Sequence, residues 1–126
     1  YNSNNNFEYH EWITDIKNYY DIAHVSILPS YREGLSVFLL ESLASGLPII
    51  CTNVTGNKAL VKEDFNGYLV NLNSPKEIVH SIMTLSKNKE IFDKFSNNSR
   101  VLANNFFDEN IIIKEFSKFL TIRNIL

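Results

Sequence analysis

The chain has 126 residues, enough for one domain or a piece of a larger one, and 44% of them are hydrophobic, enough for a real core. Twelve basic against fourteen acidic residues give a formal net charge of −2, which leaves no electrostatic footprint for nucleic acid and no polybasic anchor. The single cysteine, Cys51, excludes an internal disulfide framework and a cysteine-built zinc site, and no apolar run approaches the roughly 20 residues of a membrane span. The chain opens on Tyr1, and the polar run to Asn6 offers nothing to bury, so it reads as the continuation of a longer protein.

Phe7 to Trp12 alternates apolar and polar residues, the pattern of a half-buried strand. Ile13, Ile16, Tyr19 and Tyr20 then share one face of a short helix. Val25 to Pro29 reads as a buried strand stopped by proline. The polar loop Ser30 to Ser36 follows, and a helix is expected from Val37 to about Ser45, with Ser36 as its N-cap and Gly46 as its left-handed terminator. Leu47 to Thr52 is a second buried strand, rich in β-branched residues. A short helix is expected near Asn57 to Lys62, a turn at Asn66-Gly67, and a third strand from Tyr68 to Leu72.

Ser74-Pro75-Lys76-Glu77 has the composition of a capping box with proline in the first turn. Ile78, Ile82, Met83 and Leu85 would form the inner face of the helix it starts. Two further helices are expected, from Lys89 to Asn104 and from Asp108 to Ile122, with their Phe and Ile residues in the core. Alternation of strand and helix predicts an α/β chain with a parallel sheet covered by helices. Three or four strands make half of an ordinary doubly wound domain.

In an open parallel sheet, ligands collect at the carboxyl ends of the strands. Ser30 to Ser36 lies there, leading into a helix whose first N–H groups lack partners and carry partial positive charge. Leu35, Ser36, Val37 and Phe38 are therefore candidate backbone donors to a phosphate or diphosphate, and Gly34 has no Cβ to hinder the approach. Glu33 stands beside the helix start. Glu41 lies one turn beyond Val37 and is the only charged residue between Gly34 and Lys58. A carboxylate suits paired hydrogen bonds from vicinal hydroxyls. Phosphate on a helix end between two hydroxyl-binding acids describes a nucleotide sugar.

Pro29-Ser30-x-x-Glu33-Gly34, followed by Leu40-Glu41-Ser42-Leu43-Ala44-Ser45-Gly46-Leu47-Pro48-Ile49-Ile50, resembles the retaining GT-B-fold glycosyltransferases of family four, also called glycosyl transferases group 1. Asn66-Gly67-Tyr68-Leu69-Val70 resembles the later Asn-Gly-x-Leu-Val strand of that family. Arg100, Phe106 to Asn110 and Ile113 resemble the branch that builds bacterial surface polysaccharides. The resemblance implies a partial Rossmann-like parallel sheet with flanking helices, the C-terminal part of a GT-B fold. Residues 1–126 would form the nucleotide-sugar-binding domain, truncated at its N-terminus, with the acceptor domain absent.

By that resemblance Glu33 contacts hydroxyls of the donor sugar at the catalytic centre, and Glu41 binds the ribose hydroxyls. Amides around Gly34, Leu35, Ser36 and Val37 hold the diphosphate in place of a metal. His10, Trp12 and Ile13 lie near the base. The implied reaction is hexose transfer with retention from a UDP-sugar, favoured over a GDP-sugar, with no other cofactor. The leaving diphosphate helps to deprotonate the acceptor, a glycan or lipid-linked molecule that the missing domain binds. The implied setting is the cytoplasm, with the inner membrane face and peripheral association of the parent as a variant. The 126 residues alone would bind donor without turnover.

The chain departs from the family pattern in places. Ser36 stands where a second glycine is common, and Ala23-His24 replaces an Ala-Asp pair. Thr55-Gly56-Asn57-Lys58-Ala59 replaces Gly-Gly-x-x-Glu, so Ala59 removes an acid, and nothing before Phe7 supplies the family's basic diphosphate clamp. His10, His24 and His80 lack metal-ligand spacing. Read without the resemblance, Trp12 and Cys51 are core residues and Arg32 is an exposed loop cation. The rival to an enzyme is a non-catalytic nucleotide- or phosphate-binding α/β module.

Overall fold

Leu47 to Thr52 is apolar almost throughout, as a strand buried on both faces must be, and it becomes the middle of the sheet. The computed structural model describes residues 6–122, so all of the opening polar run except Asn6 lies outside the described residues. Three parallel strands run in the order β1 (Ser26–Leu28), β2 (Ile49–Thr52) and β3 (Gly67–Val70). Helices α1 (Lys17–Ile22), α2 (Val37–Ala44), α3 (Thr55–Leu60), α4 (Pro75–Lys87), α5 (Lys89–Phe106) and α6 (Glu109–Ile122) accompany them. None of these helices is long and apolar enough to cross a membrane.

Side chains alternate across β2 and divide the core in two. Ile49 and Cys51 join Leu39 and Leu43 of α2, Leu60 of α3, and Leu102 and Ala103 of α5. Ile50 points the other way, to Val70, Leu85 of α4 and Phe95 of α5. Helix α5 thus serves both clusters. Its polar residues also bind loops: Ser96 Oγ donates to Gly46 O (2.7 Å), Ser99 Oγ to Leu47 O (2.8 Å) and Asn98 Nδ2 to Phe65 O (2.7 Å). Burial pushes the Cys51 thiol up to about 12, in keeping with its place in the core.

The ends of α2 follow the sequence closely. Ser36 is extended, and its Oγ accepts from Leu39 N at 3.4 Å. At the other end Gly46 is left-handed at φ 71°. Leu47 N donates to Ser42 O (3.0 Å) and Gly46 N to Leu43 O (2.9 Å), the paired bonds of a Schellman stop. Asn66 is fully buried: its Oδ1 accepts from Lys62 N (2.8 Å) and its Nδ2 donates to Leu60 O (3.2 Å). Beside it, Gly67 passes so close to β2 that a Cβ would lie 2.1 Å from Ile49 O. The outer edge of β3 is closed by carboxylates, Glu63 accepting from Leu69 N (2.6 Å) and Glu77 from Asn71 N (2.7 Å).

Four expectations fail on packing. Phe7 to Trp12 forms no strand and stays exposed, because no described strand runs alongside to pair with it. Trp12, expected in the core, is 85% exposed. Ser74 is the N-cap of α4 and Pro75 its first residue, as expected, but the Ser74 side chain makes no cap bond, and Glu77 accepts from Asn71 N and Nδ2. Met83 on α4 is exposed rather than core, and so are Phe106 and Ile111 to Ile113 around α6, which rests lightly against α5. The side chains of Phe116 and Phe119 lie outside the described residues.

Candidate donor-binding site at the carboxyl edge of the sheet

Each strand ends in a loop, and the three loops are tied together. After β1 the chain turns through Ser30 to Ser36 into α2. From the end of β2, Thr52 Oγ1 donates to Ser30 O (2.5 Å), and the fully buried Asn57 steadies Thr52 by donating from Nδ2 to its carbonyl (2.9 Å). From the loop after β3, Asn73 Oδ1 accepts from the Tyr31 hydroxyl at 2.6 Å. These bonds fix the entry of the Ser30–Ser36 loop, at Ser30 and Tyr31.

The centre of that loop is held by close backbone approach. A Cβ on Gly56 would lie 1.9 Å from Gly34 O and 2.4 Å from Glu33 O. Only glycine lets the first turn of α3 press against the Glu33–Gly34 carbonyls so closely. Gly34 is different. A Cβ there would meet nothing within 4 Å, and its backbone is not left-handed. Neither packing nor backbone conformation of this chain requires glycine at 34, and the space beside it is open.

Helix α2 begins at this open space. Its amides at Val37 and Phe38 make no hydrogen bond among the described residues, whereas Leu39 N is engaged by Ser36 Oγ and Leu40 N by Ser36 O. Ser36 is buried as a cap, while Leu35 and Val37 are exposed on either side of it. Free N–H groups at a helix start favour an anion. Glu33 is half-buried beside them and makes no side-chain hydrogen bond among the described residues.

Glu41, one turn along α2, is exposed but anchored. The Tyr20 hydroxyl, on α1, donates to its Oε2 at 3.0 Å. Tyr20 is 7% exposed and packs against Phe38. Burial, and then the bond to Glu41, push its phenol up to about 12. No cation pairs with Glu41 among the described residues.

Tyr19, the neighbour of Tyr20, meets the His10 ring edge-on and its hydroxyl lies 3.3 Å from His10 Nε2. Helix α1 therefore carries contacts to both His10 and Glu41. Ile13 is half-buried, and Trp12 stands in solvent. The structure thus gathers Glu33, Gly34, Leu35, Ser36, Val37 and Glu41 on one loop and helix start, with His10 linked through α1. Sequence reasoning missed Tyr20 and Gly56. Helical spacing marks Tyr20 only as buried, and no local pattern shows which carbonyls Gly56 faces.

Comparison with known proteins gives this edge a context. The family model of glycosyl transferases group 1 matches residues 1–102. An Escherichia coli protein named UDP-Gal:alpha-D-GlcNAc-diphosphoundecaprenol alpha-1,3-galactosyltransferase is 34% identical over 107 residues, covering 85% of this chain and 27% of that protein. The C-terminal domain of a glycosyl transferase group 1 family protein (LpcC) from Francisella tularensis superposes with a TM-score of 0.72 at 22% identity, over 82% of this chain and 53% of that one. HepE from Anabaena, solved in complex with UDP, superposes with a TM-score of 0.82 at 20% identity, over 86% of this chain and 30% of that one. The fold is that of the C-terminal part of a GT-B glycosyltransferase, and the chain spans about a quarter of the length of the curated relatives it matches.

Proposed function

The chain belongs to the glycosyl transferases group 1 family, and from that premise we propose that its carboxyl edge binds a nucleotide-diphospho-sugar for transfer of a hexose with retention. The observation that carries this reading is the start of α2. Two unengaged amides, Val37 N and Phe38 N, lie between Glu33 and the tyrosine-held Glu41. The amides hold the diphosphate, and they do so without a divalent cation, because the helix end supplies the compensating charge. Gly34 admits the donor to the backbone. Glu33 contacts hydroxyls of the sugar near the reacting carbon, and Glu41 takes the ribose hydroxyls. His10, Trp12 and Ile13 stand on the base side.

UDP is favoured over GDP as the nucleotide. The E. coli relative is named for a UDP-sugar, and the Anabaena neighbour was solved with UDP. The name of the E. coli relative also supports a lipid-linked or glycan acceptor, held by the part of the parent outside these residues. The parent then works in the cytoplasm, at the inner membrane face where such an acceptor is presented. The 126 residues alone bind donor without turning it over, since the acceptor side of the cleft lies elsewhere.

The test uses the full-length protein. Glu33→Ala should cut transfer by about 100-fold or more while the fold persists. Glu41→Ala should raise the donor KM roughly 100-fold or more, for two lost hydrogen bonds to a charged group. Wild-type transfer by both variants would contradict the proposal. Equal affinity for UDP-sugar and inorganic pyrophosphate would instead identify a generic phosphate-binding module.

A further inference from the structure

We propose that Tyr20 is the positioning residue for Glu41: it fixes one carboxylate oxygen so that the other faces the ribose hydroxyls of the donor. The proposal rests on the ribose role given to Glu41 above and adds a residue to it. The geometry is specific. A tyrosine hydroxyl has one proton to give. Acceptors in range include Glu41 Oε2 at 3.0 Å and Phe38 O at 3.3 Å. Phe38 O already accepts from Ser42 Oγ at 2.7 Å, so the nearer carboxylate is the better use of the Tyr20 proton.

The consequences follow from the inventory of lone pairs. Oε2 gives one acceptor site to Tyr20, and Oε1 keeps both of its own for a vicinal diol. Glu41 is exposed and has no cation partner among the described residues, so without Tyr20 its side chain would sample several rotamers. Tyr20 itself is held by burial and by the Phe38 ring, at 6.0 Å between centroids. The phenol keeps its proton at every ordinary working pH, because burial raises its ionisation well above the usual range. The alternative is that Glu41 merely satisfies a buried hydroxyl. That role predicts a stability effect with no dependence on the ribose.

The experiment compares UDP with 2′,3′-dideoxy-UDP, which lacks the diol, by calorimetric titration of the full-length protein. The variants are Tyr20→Phe, Glu41→Ala and the double substitution. Tyr20→Phe should weaken UDP roughly five- to tenfold and leave dideoxy-UDP unchanged. The double variant should lose no more than Glu41→Ala alone, because Tyr20 acts through Glu41. Additive losses, or equal weakening of both ligands by Tyr20→Phe, would overturn the proposal. Failure of Tyr20→Phe to fold would show a structural anchor and also overturn it. If Glu41→Ala leaves UDP affinity unchanged, or UDP does not bind the wild-type full-length protein, the ribose reading falls and takes this inference with it. Loss in Glu41→Ala with none in Tyr20→Phe removes only the inference.

Discussion

Replacing Gly56 by alanine adds one methyl group at the point where the chain can least accept it. The new Cβ would sit 1.9 Å from Gly34 O, 2.4 Å from Glu33 O and 2.7 Å from Glu33 C. Ordinary carbon–oxygen contact is about 3.3 Å, so the two segments must part by roughly 1.4 Å. Helix α3 cannot give easily, because Asn57 and Leu60 anchor it in the core. The Glu33–Gly34 loop has open space beside Gly34, and it therefore moves. Overpacking costs about 1–3 kcal/mol, partly offset by about 0.5–1 kcal/mol from replacing glycine in a helix. The net loss should be about 1–2 kcal/mol, read as a lower urea midpoint at unchanged slope. The functional loss should be larger. Displacing Glu33 by an ångström in the full-length protein should slow transfer about 100-fold. A Gly56→Ala protein with wild-type midpoint and wild-type transfer would refute the claim that this glycine sets the position of Glu33.

Two further outcomes are expected. Asn66→Ala leaves Lys62 N and Leu60 O without their partner and should lower unfolding free energy by about 2 kcal/mol or more in urea titration, against a negligible effect if water replaces the amide. At alkaline pH, the Tyr20 phenol ionises near 10 when unfolded and near 12 when folded, so its contribution is complete below about pH 10 and is lost as pH rises toward 12. Tyr20→Phe should flatten that part of the decline in urea midpoint; an unchanged profile would mean that its hydroxyl is not held as described.

The local signals that came through are those whose chemistry is complete within a few residues. Ser36 caps α2 and Gly46 ends it because each task needs one side chain, or none, at one backbone position. Asn66-Gly67 was legible as a turn, although the burial of Asn66 and the approach of Gly67 to Ile49 O were not. The failures needed a distant partner. Phe7 to Trp12 has a strand's alternation, but alternation makes a strand only beside another one. Glu77 accepts from both Asn71 amides after β3, a contact that the Ser74-Pro75-Lys76-Glu77 pattern does not show. At the site, the loop and both acids were readable from spacing. Tyr20 reaches Glu41 across 21 positions, and such a contact exists only once α1 and α2 are packed.

On the proposed reading, the start of α2 receives the donor diphosphate between Glu33 and Glu41. Amide chemical-shift mapping with UDP is the measurement that decides this. The largest changes are expected at Gly34 to Phe38, with a smaller response around Glu41 and Tyr20 and little change in the groove lined by Tyr68, Lys76 and His80. Perturbation centred on that groove, with Val37 and Phe38 unmoved, would contradict it.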